Sequence, residues 1–161
     1  MVASRLFRTP AYPSGSGPDF VNCALRLHAD LAPADILAIC HQIESDAARD
    51  RDRRWGPRTL DIDLIACDDL VLPDELTQTA WRTLPMGEQM TQSPSDLILP
   101  HPRMQDRAFV LVPLAEVAPD WRHPVLGLSV EDMLARCPAS DRAAILPLEP
   151  GNPLVKHSLS P

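Results

Sequence analysis

Lysine is nearly absent from this chain: of its 15 cationic side chains, 14 are arginine and one, Lys156, is lysine. Any anion site must therefore use planar, bidentate guanidinium chemistry rather than ammonium point charges. Glycine is also scarce, at six residues, and no G-x-x-x-x-G-K-[ST] run occurs, which excludes a P-loop phosphate cradle. The four cysteines, Cys23, Cys40, Cys67 and Cys137, form no C-x-x-C pair. Dispersed among apolar neighbours, they read as buried free thiols rather than metal ligands. No stretch approaches the ~20 apolar residues of a membrane span, and Met1 to Arg8 lacks the apolar run of a secretory leader. The expectation is a cytoplasmic chain with no membrane partner. A formal charge of −7 rules out a broad field attracting nucleic acid, so any phosphate binding must be local.

What is present is the composition of a globular protein, 45% hydrophobic and 23% charged over 161 residues. Proline is abundant: 18 residues, about twice the usual ~5%, predicting short elements on stiffened connections. We expect one domain over residues 1–148, with an extended excursion at 68–97, a flexible tail at 149–161, and a monomeric chain.

Met1 to Thr9 alternates imperfectly and reads as a strand ending at Pro10. Asp19 to Ala29 places Val21, Cys23, Leu25 and Leu27 on one face at period 2, predicting a second strand antiparallel to the first. Pro33 opens a helix running to about Ala48, with Ile36, Ile39, Cys40 and Ile43 at helical spacing. Thr59 to Ala66 alternates again, Leu60, Ile62 and Leu64 against Asp61, Asp63 and Ile65, which predicts a third strand. Residues 68–97 are polar and proline-broken, with helical potential around Glu75 to Leu84. A short apolar helix is expected over 108–118, a capping box at Ser129 and Asp132 opening another, and a last strand over 143–148.

On a strand, Asp61 and Asp63 point the same way with Cα atoms roughly 6.5–7 Å apart, close enough to share hard cations. Just upstream, Arg49, Arg51, Arg53, Arg54 and Arg58 surround the turn-forming Trp55-Gly56-Pro57. Guanidiniums beside paired carboxylates suit phosphoryl transfer, where cations neutralise charge that spreads in the transition state. The bland alternative is a solvated, sign-alternating face with weak ion pairs. Spacing alone leaves nuclease, nucleotidyltransferase and kinase open.

The run Arg54-Trp55-Gly56-Pro57-Arg58-Thr59-Leu60-Asp61-Ile62-Asp63-Leu64-Ile65 strongly resembles the signature of the 6-hydroxymethyl-7,8-dihydropterin pyrophosphokinase family. Arg8-Thr9-Pro10, Pro18 to Asn22, Leu99 to Arg103 and Arg107 to Leu111 resemble that family too, in its order. The resemblance implies an α+β ferredoxin-like sandwich, a mostly antiparallel sheet with helices. Family members place a strand and a long helix before the piece that matches here, so the expectation is an N-terminally truncated version of that fold.

The implied activity is Mg-dependent transfer of pyrophosphate from ATP to 6-hydroxymethyl-7,8-dihydropterin in folate biosynthesis. The alternative is a catalytically impaired remnant that only binds nucleotide or pterin; a metal-dependent phosphohydrolase is a third reading. By resemblance, Asp61 and Asp63 hold two Mg2+ ions with ATP, and Arg49, Arg51, Arg58 and Arg107 meet phosphates. Glu44 and His101 seat the nucleotide. Phe20 and Phe109 sandwich the pterin with Trp55 beside it, while Asn22 and the backbone from Thr9 and Pro10 to Tyr12 read its polar edge.

Overall fold

A computed structural model describes residues 1–11, 17–49, 60–89 and 91–149, except the side chains of Arg49, Met86 and Gln89. The fold is α+β with antiparallel sheets, as expected. It divides into two compact units: one built from Met1–His28 and the chain from Arg103 onward, the other from Ala29–Pro102.

In the first unit, β1 (Val2–Ala3) pairs with β4 (Leu25–Arg26), and β2 (Phe7–Thr9) sits between β3 (Phe20–Asn22) and β5 (Leu146–Pro147). Every pairing is antiparallel, with Phe7 opposite Asn22 and Thr9 opposite Phe20. Each of the two expected N-terminal strands is thus split in two. The reason lies at Ser4, whose N–H donates to the Ala24 carbonyl (2.9 Å) while its hydroxyl accepts from the Ala24 N–H (2.9 Å). A side chain there completes a bond that a regular ladder takes from backbone.

Phe7 and Thr9 are buried and Arg8 is exposed, the period-2 pattern of a strand with one face on a core. That core is filled by Met104, Leu111, Val130 and Met133, all fully buried, with Ala108, Val117 and Cys137 around them. It forms because helix α4 (Ala108–Val117) packs on α5 (Val130–Arg136), α6 (Ala139–Ala143), β3 and β4. Full burial of each Leu or Met is worth about 1.5–3 kcal/mol.

The capping box at the start of α5 is as read from sequence. Asp132 N–H donates to Ser129 Oγ and Ser129 N–H to the Asp132 carboxylate, both at 3.0 Å. The Ser129 backbone N–H first, and then the Ser129 hydroxyl, hold the Asp132 carboxyl below its ordinary range. The last strand is shorter than the expected 143–148, since α6 takes residues through Ala143. Before α5, the buried His123 accepts from the Val125 and Leu126 N–H groups at Nδ1 (3.2 and 3.3 Å), which fixes the tautomer with its proton on Nε2.

The second unit begins with α1 (Pro33–Arg49), close to the expected span. Its inward stripe differs from the expected one: Ile36, Leu37, Cys40, Glu44 and Ala47 are half-buried, whereas Ile39 and Ile43 are each 48% exposed. Residues 60–67 form no helix, and no ladder with another strand forms along them among the described residues, so the third strand is not realised as a strand. Asp68, at φ 46°, turns the chain out of this segment.

The excursion then closes at a neck, where Leu72 and Leu99 exchange both backbone bonds (2.9 and 3.1 Å). It contains α2 (Glu75–Arg82) and α3 (Met86–Gln89). The Asp74 carboxylate caps α2 by accepting from Thr77 N–H (2.9 Å) and Thr77 Oγ1–H (2.7 Å), which lowers its pKa. Within this polar, proline-broken region Gln78 is nonetheless fully buried. The thiol expectation also needs correction: Cys137 alone of the four is buried, Cys40 and Cys67 are intermediate, and Cys23 is exposed.

Candidate active site

The expected site residues fall into two groups, one in each unit. In the first unit, β2 and β3 bring Thr9 and Asn22 together: Asn22 Nδ2 donates to Thr9 Oγ1 at 2.6 Å. Thr9 is buried at the end of β2, so this bond fixes the amide, with its nitrogen toward Thr9 and Oδ1 turned the other way. Pro10 follows, exposed.

The three phenylalanines separate cleanly. Phe7 is 2% exposed and belongs to the core, whereas Phe20 on β3 is 60% exposed and Phe109 in the first turn of α4 is 39% exposed. Two of the chain's few aromatic rings are thus left open to solvent, against the expectation for residues that serve packing. The Arg107 guanidinium lies 5.5 Å from the centre of the Phe109 ring, in cation–π range. Its own backbone carbonyl accepts from Val110 and Leu111 N–H, so Arg107 is pinned at the start of α4.

In the second unit, the acidic pair sits on the irregular segment 60–67, with Asp61 and Asp63 exposed and Ile62 between them half-buried. This segment is anchored twice without a ladder. Ile62 N–H donates to Glu44 Oε1 at 2.6 Å, and two residues beyond Asp63 the Ile65 carbonyl accepts from His101 N–H at 2.8 Å. Glu44 reaches Ile62 because it lies on the inward stripe of α1. A charge-assisted bond to an amide between the two aspartates is stronger than a neutral one, and it fixes the Asp61–Ile62 peptide.

Expected residues Tyr12, Arg51, Trp55 and Arg58 lie outside the described residues, as does the Arg49 side chain, although Arg49 ends α1. The tail is likewise outside from residue 150 onward. Sequence reasoning missed the backbone role of Glu44, for which the only signal was its helical spacing four residues after Cys40. It also missed Gln78, for which a polar run gave no signal.

The model of the 7,8-dihydro-6-hydroxymethylpterin-pyrophosphokinase family matches residues 1–119. The chain belongs to that family. Among curated relatives, the 2-amino-4-hydroxy-6-hydroxymethyldihydropteridine pyrophosphokinase of Pseudomonas aeruginosa is 42% identical over 138 residues, 86% of this chain and 72% of the relative. Proteins of the same name are 37% identical in Synechocystis, over 83% of this chain, and 36% identical in Methylorubrum extorquens, over 81%. The chain spans 57% of the length of the Synechocystis relative and 68% of the Methylorubrum one.

Both anchored groups, the Thr9–Asn22 pair and the Asp61–Asp63 segment, fall inside the stretch matched by the pyrophosphokinase model. The core-forming α5, α6 and β5 lie beyond it. Among the described residues no cluster of three or more His, Cys, Asp or Glu is placed to hold a metal ion. Two exposed carboxylates fit a hard cation such as Mg2+, which takes one or two protein carboxylates and completes its shell with water and phosphate oxygens.

Proposed function

We propose that this chain transfers pyrophosphate from ATP to 6-hydroxymethyl-7,8-dihydropterin, a Mg-dependent step of folate biosynthesis. The observation that supports it most is the Asp61–Ile62–Asp63 segment. Both carboxylates are exposed, and the peptide between them is held by Glu44, in a chain of the pyrophosphokinase family.

Asp61 and Asp63 would hold two Mg2+ ions, whose charge would neutralise the triphosphate oxygens. The chain's own residues do the positioning. Phe20 and Phe109 offer exposed rings for a flat heteroaromatic, and Asn22, its nitrogen committed to Thr9, offers Oδ1 to the donors on the pterin edge. Arg107, with Arg49, Arg51 and Arg58, contributes planar donors for charge that develops on the transferred group, and Trp55 and the backbone from Thr9 and Pro10 to Tyr12 complete the pterin side. His101 is tied by its backbone to the acidic segment, on the nucleotide side. The pterin hydroxymethyl oxygen attacks the β-phosphorus and releases its proton to solvent, the bond from that phosphorus to the α,β-bridging oxygen breaks, and AMP leaves. The gain comes from alignment and charge neutralisation, without a covalent enzyme intermediate.

The test is AMP release by the full chain with Mg2+, with and without the pterin alcohol. Release of one AMP per pterin consumed supports the reading. Pterin-independent release would mean a phosphohydrolase, and binding of both ligands without release would mean a binding remnant.

A further inference from the structure

The 68–97 excursion returns to the site through one buried residue. Gln78 on α2 is fully buried, as is Pro100, and Gln78 Nε2 donates to the Pro100 carbonyl at 3.2 Å. Gln78 is the buried residue of an otherwise half-exposed helix, on which Leu76 is left 82% exposed. Its Oε1 meets no donor among the described residues. A buried acceptor left without a donor opposes folding, so an apolar side chain of similar volume would fill this place at less cost if packing were all that it served. The amide does what an apolar side chain cannot: it satisfies a carbonyl that is shut off from water.

That carbonyl belongs to the same planar peptide group as the His101 N–H, which is bonded to Ile65 on the acidic segment. On the other side of Pro100, Leu99 is locked to Leu72 at the neck. We propose that Gln78 is a positioning residue for ATP. By fixing the Pro100 carbonyl it sets the His101 peptide against the Asp61–Asp63 segment, and the excursion thereby tunes nucleotide affinity without touching substrate. This rests on the pyrophosphokinase reading for its ligand, but not for its geometry.

The experiment is Gln78→Met in the full chain, with MgATP and pterin titrated by calorimetry and amide hydrogen exchange followed residue by residue. Loss of one buried hydrogen bond predicts a roughly three- to tenfold weaker Kd for MgATP and an unchanged Kd for pterin. The His101 amide should exchange faster by a similar factor, while the Leu72 and Leu99 amides keep their wild-type rates. An unchanged His101 rate overturns the proposal. So does equal acceleration at His101, Leu72 and Leu99, which marks a merely structural residue, or an equal loss of both ligands. If the variant does not fold, the wild type decides: in low denaturant the Gln78 and His101 amides should open with one common free energy, and separate openings refute the coupling. If the wild-type chain binds no MgATP, the functional reading fails while the exchange comparison still tests Gln78.

Discussion

The two units are built in opposite ways. The first closes a continuous apolar core, Met104, Leu111, Val130 and Met133 against Phe7, and leaves two phenylalanines on its surface. The second has fewer fully buried apolar side chains among its described residues, chiefly Ile98 and Leu99, and is held instead by polar groups that reach backbone: Glu44 to Ile62, Gln78 to Pro100, Asp74 to Thr77. One unit is a packed platform, whose exposed phenylalanines would stack a flat ring under the proposed function. The other is a hydrogen-bonded frame that keeps two like charges exposed to solvent, an arrangement that an apolar core could not provide.

The sharpest way to break this contrast is a truncation in each unit. Leu111→Ala should cost about 2–5 kcal/mol of stability, whereas Ile39→Ala, at a half-exposed place on α1, should stay within about 0.5 kcal/mol. Denaturant titration of both variants checks this, and comparable losses would show that α1 is covered as well as α4 is.

Next in size is the chemistry of the frame. Asp61→Ala and Asp63→Ala should each lower pterin-dependent AMP release by about 10²-fold or more without lowering the melting temperature, since both side chains are exposed. Near-normal turnover in either variant would return the pair to a solvated face. Arg107→Lys should cost about ten- to a hundredfold, because an ammonium cannot supply a planar fork. Arg107 matters to the contrast because under the proposed function it would bring phosphate chemistry to the platform unit, where it lies against Phe109. Wild-type kinetics in this variant would keep the division clean.

The smallest effect is electrostatic. Arg5 donates through its side chain and its backbone N–H to Glu116 on α4. The Arg5 side-chain bond holds the Glu116 carboxyl below its ordinary value, and the same bond raises the guanidinium. A depressed carboxyl contributes stability above its unfolded pKa and loses it as pH falls through the lowered folded value. The melting-temperature gap between wild type and Glu116→Gln should therefore be present near neutrality and close at acid pH. Because the pair is exposed, the gap should also shrink with salt; a gap that is indifferent to pH would mean that the glutamate acts by packing.

What the sequence made legible follows this same division. Helix α1, helix α4 and the Ser129–Asp132 box were readable because apolar period and cap chemistry are local. The alternation over residues 59–66 predicted a strand, which does not form among the described residues, although Asp61 and Asp63 are exposed with Ile62 half-buried between them. It could not show that a glutamate 18 residues earlier, rather than a neighbouring strand, takes the Ile62 amide. The break at Ser4 was hidden for the same reason, because the competing hydroxyl finds its partner 20 residues away. Gln78 carried no signal at all, since a buried glutamine in a polar run has no period to betray it. Exposure of Phe20 and Phe109 was expected from family resemblance and not from any pattern in the residues.

The central claim is that the platform serves the pterin and the frame serves the nucleotide. It is tested most directly by measuring both affinities, MgATP and pterin, in the wild type, Asp63→Asn, Phe109→Ala and the double variant. The account predicts that Phe109→Ala weakens pterin by roughly three- to tenfold, the worth of one aromatic stacking contact, and leaves MgATP unchanged, that Asp63→Asn does the reverse, and that the double variant shows the two losses independently. Equal weakening of both ligands by either single substitution would contradict it.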